Sequence, residues 1–315
     1  MRRIISIISA CAAFVLAASC QKEVQQQAEP QYQDVTFAVN MTAPEMTKAL
    51  GDGSLAILLD MAVYHNGEYI SSIQLPGVDR EGKNATVIGT PGYWSVTLTL
   101  AKNVEYDIVF WAHAEDAPYT FNKADHKIVV DYAGEANDEA RDAFIKCLEG
   151  YYVTDTPVTV ELTRPFAQIN FGASDYIPYI TDFGFDMTST IKCMAPSVLD
   201  VLSGEVSDEV EVEFTPTAIP YETGSQVLTQ KNGVTYHWMS MNYILASEYN
   251  SNFYGSIEAT FNYNGKDLVI SVPSVPYARN YKTNIIGTLF TGPAKFNVVI
   301  LPGFVDEFEK EISNQ

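Results

Sequence analysis

The four histidines His65, His113, His126 and His237 are the first residues in the chain that could carry chemistry. No two of them stand at metal-ligand spacing on one face, and no cysteine–histidine cluster accompanies them. His113 and His237 lie beside strand tryptophans and read as packed or surface side chains. There is no nucleophile elbow, phosphate loop or Asp-x-Asp-x-Asp-Gly calcium loop. Asp182, Asp186 and Asp200 are too scattered to name as a carboxylate pair acting on a sugar. The residues point away from an enzyme, and no cofactor or metal is expected. Trp94, Trp111 and Trp238 are of a type that stacks on sugars, which leaves a glycan-binding surface protein as one reading. All three fall inside strand patterns, where burial is the simpler account.

The cysteines point to covalent chemistry of another kind. Met1-Arg2-Arg3 is a basic start, residues 4–16 are apolar, and Leu16-Ala17-Ala18-Ser19-Cys20 ends the run. This is a secretory leader with a lipobox-like end. Small residues precede Cys20, whose thiol takes a diacylglycerol before cleavage at Ser19; the leucine stands four places before the cysteine rather than the usual three. The expectation is a signal peptide over 1–19, lipid on Cys20 and an outer-membrane anchor; a plain secreted protein cleaved nearby is the alternative. Residues 20–33 are polar, lack a period and read as a flexible tether. Lys22-Glu23 resembles the short signal that sends such lipoproteins to the outer face of the outer membrane. Cys147 and Cys193 remain in the mature chain, both on apolar faces, and read as buried free thiols rather than a disulfide.

The elements that position these residues are strands. The chain has 315 residues, 47% hydrophobic and 18% charged, with 19 Tyr and 16 Phe. That length suits two domains and that composition suits β-structure. A net charge of −20 argues against nucleic acid as a partner. Val35, Phe37, Val39 and Met41 alternate with polar or small residues and predict a first strand. Asn66-Gly67 predicts a tight hairpin turn. Asn137 with Asp138 and Glu139 reads as a helix start, and Ala140, Phe144, Cys147 and Leu148 repeat at helical spacing up to Gly150, predicting one short helix. Val158, Val160 and Leu162 form another alternating strand. Arg164-Pro165 follows, where proline removes a backbone donor and biases Arg164 toward an extended conformation. A strand can end there and the next begin in a different sheet. The expected organisation is all-β: two β-sandwiches in tandem, residues 34–163 and 164–315, joined at that dipeptide.

Leu162-Thr163-Arg164-Pro165-Phe166-Ala167-Gln168-Ile169-Asn170 resembles the inter-domain segment of fimbrillin-like lipoproteins, the subunits of lipoprotein-derived type V pili. Tyr106-Asp107-Ile108-Val109-Phe110-Trp111-Ala112 and Arg279-Asn280-Tyr281-Lys282-Thr283-Asn284-Ile285-Ile286-Gly287 are similar to further segments of that family. The resemblance covers most of the mature chain and looks closest to an uncharacterised branch. It implies transthyretin-like, Greek-key sandwiches and a pilus or adhesin subunit whose partners are like subunits, other pilus subunits or a host or glycan ligand. It also implies assembly by strand exchange. A protease cuts after a basic residue, here Lys48 before Ala49, and the first strand is lost. A neighbour's strand then fills the groove. Val35, Phe37, Val39 and Met41 would be the removable plug. Phe296, Val298 and Ile300, or the alternates Val299 and Leu301, would be the donor. Lysine stands where the family usually has arginine, and an anchor-type subunit would keep its first strand.

Overall fold

A computed structural model describes residues 30–41, 51–75, 92–175, 187–220, 227–229, 233–249, 254–263, 265–291 and 293–304. The expected leader, Cys20, most of the tether, Lys48 and Ala49 lie outside these residues. In chain order, the first half holds β1 (Tyr32–Met41), β2 (Leu58–His65), β3 (Glu68–Leu75), β4 (Tyr93–Ala101) and β5 (Glu105–His113), then β6 (Tyr119–Asn122), β7 (Lys127–Val130), β8 (Phe144–Tyr152) and β9 (Val158–Leu162). The second half holds β10 (Phe166–Ala173), β11 (Met187–Asp200), β12 (Val206–Glu213), β13 (Thr217–Ala218) and β14 (Val227–Thr229), then β15 (Thr235–Leu245), β16 (Tyr254–Tyr263), β17 (Lys266–Pro276), β18 (Tyr281–Thr288) and β19 (Lys295–Pro302). The all-β expectation holds.

These strands form four sheets. A three-stranded sheet in the order β4-β1-β9 faces a four-stranded sheet β3-β2-β5-β8. Between them Val35, Phe37, Val39, Trp94 and Val160 pack on Leu59, Met61, Ile108 and Phe110. This is the predicted period of two at work: one parity of each strand enters the core. Asn66 and Gly67, at φ of 51° and 76°, turn β2 into β3 as the Asn-Gly pair predicts. A five-stranded sheet β14-β15-β10-β18-β19 and a seven-stranded sheet β17-β16-β11-β7-β6, extended by β12 and β13 on β11, enclose the larger core.

At Arg164-Pro165 the chain leaves β9 in one sheet and enters β10 in another. The cores are less separate than the sheets. β6 and β7, from the first half, extend the second half's sheet through Val198↔Val129 and Leu199↔Ile128. The outer face of the β2–β5 pair adds Ala62, Tyr64, Val109 and Trp111 to the larger core. Tyr32–Gln315 is accordingly one compact unit.

The predicted helix is absent. Only a 3₁₀ turn, Glu139–Arg141, forms; Asp138, not Asn137, caps it by accepting from the Ala140 N–H, and Phe144–Tyr152 is a strand. The reason is burial on both faces. Phe144 and Leu148 pack on the smaller core while Ile145 and Cys147 pack on the larger one. With both parities apolar, the spacing imitates a helical repeat.

Candidate functional site

β1 is an internal strand. Over nine positions, from Tyr32↔Ala101 to Asn40↔Tyr93, it runs antiparallel to β4. From Phe37↔Val158 to Met41↔Leu162 it runs parallel to β9. Three of the predicted plug residues are sealed in: Val35 is 2% exposed, and Phe37 and Val39 are fully buried. Met41 is half-buried against the same core. The Phe37 ring lies 5.5 Å from Phe110 and 5.6 Å from Tyr151, in tilted and edge-on contacts. The outward face is polar: Thr36 bonds Thr97 at 3.0 Å, and the Thr99 hydroxyl donates to Asp34 at 2.6 Å. Burying the three sealed side chains is worth about 1.5–3 kcal/mol each.

Ten residues beyond Met41 the chain is held at Gly51. The Gly51 N–H donates to both carboxylate oxygens of Glu139, at 3.2 and 3.1 Å. The Gly51 carbonyl accepts from Nη2 of Arg164 at 2.6 Å. Arg164 is fully buried and grips Asp142 with two bonds, Nε to Oδ1 at 2.6 Å and Nη2 to Oδ2 at 2.8 Å. Its guanidinium lies 4.3 Å from the Phe144 ring centroid and 3.9 Å from that of Phe304. Tyr243 donates to Glu139 at 3.1 Å and accepts from Gln168 at 2.8 Å. Gly51 has φ of 78°, and a Cβ there would stand 2.8 Å from Gln168 Nε2, so only glycine fits.

Charge inside this clamp follows from its dryness. Burial works to lower the Arg164 pKa, but the Asp142 carboxylate outweighs it and holds the guanidinium charged. Burial first, and the neighbouring Asp142 charge second, push Glu139 up to about 7; the Gly51 N–H and the Tyr243 hydroxyl partly oppose the rise. The clamp joins five places far apart in sequence: the segment after β1, the 3₁₀ turn, the junction after β9, β15 and Phe304 beyond β19. β9 runs directly into Arg164, so the clamp also fixes one wall of the slot that β1 fills. The sequence marked Arg164 as a junction residue but gave no sign of Asp142, Glu139 or Gly51 as its partners. An acid 22 residues away in a turn has no local signature.

The predicted donor lies elsewhere. Among the described residues β19 is an edge strand of the five-stranded sheet, paired with β18. Phe296 and Val298 are half-buried on the larger core, and Ile300 is 4% exposed. The alternates Val299 and Leu301 face the other way and pack with Tyr236, Trp238 and Ile286. Plug and donor thus sit in different sheets.

The remaining candidates resolve as packing. Trp94 and Trp111 are 1% exposed and Trp238 is 9%, so none offers a sugar an open face. Both ring nitrogens of His113 are engaged, Nδ1 with the Ala114 carbonyl at 2.7 Å and Nε2 with Asp60 at 3.2 Å. Cys147 and Cys193 are free thiols, each pushed up to about 12 by burial. Among the described residues no group of three His, Cys, Asp or Glu could hold a metal ion.

No curated protein matches the chain. Among solved structures it is similar to a candidate cell adhesion protein from Bacteroides ovatus, with a TM-score of 0.51 at 11% identity, over 88% of this chain and 100% of that one. The tip fimbrial protein Mfa3 from Porphyromonas gingivalis, truncated at its C-terminus, aligns at 12% identity and a TM-score of 0.49, over 86% and 100% of the two chains. The first of these shows a shared fold. A family of unknown function, DUF6562, matches residues 25–315, and the chain belongs to it.

Proposed function

We propose that the protein is a cell-surface fimbrial or adhesion subunit, held to the outer membrane by lipid on Cys20, that assembles with like subunits by exchanging β1. The observation that carries this reading is the position of β1. An internal strand between β4 and β9 leaves, when removed, a slot with a hydrogen-bonding ladder on each side and an apolar floor. A strand from another subunit satisfies both. The clamp supports the same reading, because the bonds of Gly51 to Glu139 and Arg164 do not depend on the chain before it. Lys48 and Ala49 stand three and two residues before the clamped Gly51. The test is Lys48→Gln in the native host. The substitution is expected to abolish chains beginning at Ala49 and the oligomer ladder on an unboiled gel. An unchanged ladder would refute maturation at this bond.

A further inference from the structure

We infer that a groove at the seam between the two halves of the chain binds a neutral, hydroxyl-rich oligosaccharide, with Tyr249 as its stacking face and Glu248 and Arg279 as its hydrogen-bonding pair. The inference goes beyond strand exchange and stands whether or not β1 is given up. The groove has two lobes. The first, of about 200 Å³, lies between β8 and the turn after β11, with Lys146, Asp200 and Arg279 among the residues around it. The second, of about 470 Å³, runs past Glu205 and Ser247. Ser203, Gly204 and Glu248 line both lobes, so the two meet there. Small-molecule sites favour such seams, and two lobes in a row suit a chain of small units.

The polar groups of the groove are unspent. Arg279 donates from Nε to the Ala246 carbonyl at 3.4 Å and from Nη2 to the Gly204 carbonyl, and its Nη1 bonds to none of the described residues. Burial works to lower the Arg279 pKa, and Glu248 is near enough for its charge to oppose that, yet the two form no ion pair. A donor and an acceptor that share a space without touching are bridged by a hydroxyl, which accepts from one and donates to the other. Asp200 spends Oδ1 on the Leu202 and Ser203 N–H groups, at 3.0 and 2.9 Å, and leaves Oδ2 to a ligand. A cationic ligand would meet Arg279 and Lys146, and an anionic one would meet Asp200, Glu205 and Glu248. Neutral hydroxyls meet neither penalty.

The stacking face comes from the same loop. Tyr249 directly follows Glu248, and its ring lies 5.1 Å from that of Tyr281 with 20° between the planes. The Arg279 N–H donates to the Ser247 carbonyl at 2.7 Å, which ties the two tyrosine-bearing segments together beside the groove. Tyr249 is 47% exposed, so one ring face rests on Tyr281 and the other is open. An exposed ring held flat by a second ring is set in advance for the apolar side of a sugar. The buried tryptophans offer no such face.

The test is calorimetric titration of the full chain with maltohexaose, cellohexaose, mannohexaose and laminarihexaose, and with hexalysine and sialyllactose as charged probes. At least one neutral hexasaccharide is expected to bind, and more tightly than either charged probe. Glu248→Gln should weaken it about tenfold, because a charged acceptor holds a hydroxyl far better than a neutral one. Tyr249→Ala should weaken it at least about fivefold, and Tyr249→Phe, which keeps the ring, less than about twofold. Both residues are exposed, so the urea midpoints of these variants should match the wild type. Binding that survives Glu248→Gln and Tyr249→Ala would place the sugar elsewhere and overturn the site. Binding of hexalysine or sialyllactose alone would overturn the ligand class, and binding of no probe at millimolar concentration would overturn the inference. Failure in any of these ways leaves the exchange of β1 untouched.

Discussion

Glu139 is a half-buried carboxyl group beside a second carboxylate, and that fixes the sign of its effect on stability. Its pKa in the folded chain is pushed up to about 7 from an ordinary value of 4.5. A raised carboxyl contributes its full share to stability below about 4.5 and loses it as pH rises through 7. The stability of the wild-type chain should therefore fall between about pH 4.5 and pH 7 and level off above, by on the order of 3 kcal/mol from this group. Glu139→Gln keeps an acceptor for the Gly51 N–H and cannot ionise, so its urea midpoint should stay flat over that window. A wild-type midpoint that does not move over the same range would contradict the clamp's electrostatics. Asp60 and Asp175 act in a different window. Although burial works against them, the hydrogen bonds from His113 and Lys123, and from three backbone N–H groups, hold them below the usual carboxylate range. Their contribution is lost as pH falls through their lowered values.

Among the elements, β1 separates what the sequence shows from what it hides. Its alternation placed Val35, Phe37 and Val39 on the core side, and their burial follows. Phe37→Ala should cost about 3–5 kcal/mol in denaturant unfolding, and Thr36→Ala on the outward side less than about 0.5. A small Phe37 effect would mean the pocket is already loose and the strand only weakly held. The parallel pairing of β1 with β9 is not in the pattern, because periodicity states which face is apolar and never which strand is the neighbour. β8 failed for a related reason: Phe144, Ile145, Cys147 and Leu148 serve two cores, and a strand buried on both sides loses its period. Arg164-Pro165 was legible as a change of sheet because proline acts on its own backbone. The clamp around Arg164 was not, because its partners come from four other places in the chain.

For the whole molecule, two halves share parts that a cut at the junction would divide. We propose that residues 163–315 fold as a unit but below the stability of the whole. That fragment lacks β6, β7 and Asp142, and leaves the buried Arg164 unpaired, a loss of about 3–5 kcal/mol. A cooperative transition at lower urea is expected. No transition would show that the halves are one folding unit. Cys20→Ser should release the protein from the membrane fraction or stop its maturation, and unaltered fractionation would refute the lipid anchor. The central claim is that assembled subunits have given up β1. It is tested most directly by cutting out the dimer band from an unboiled gel of surface protein and measuring intact mass. Chains that begin at Ala49 and lack Tyr32–Met41 are expected, whereas a dimer whose chains all retain Tyr32–Met41 would contradict exchange of β1.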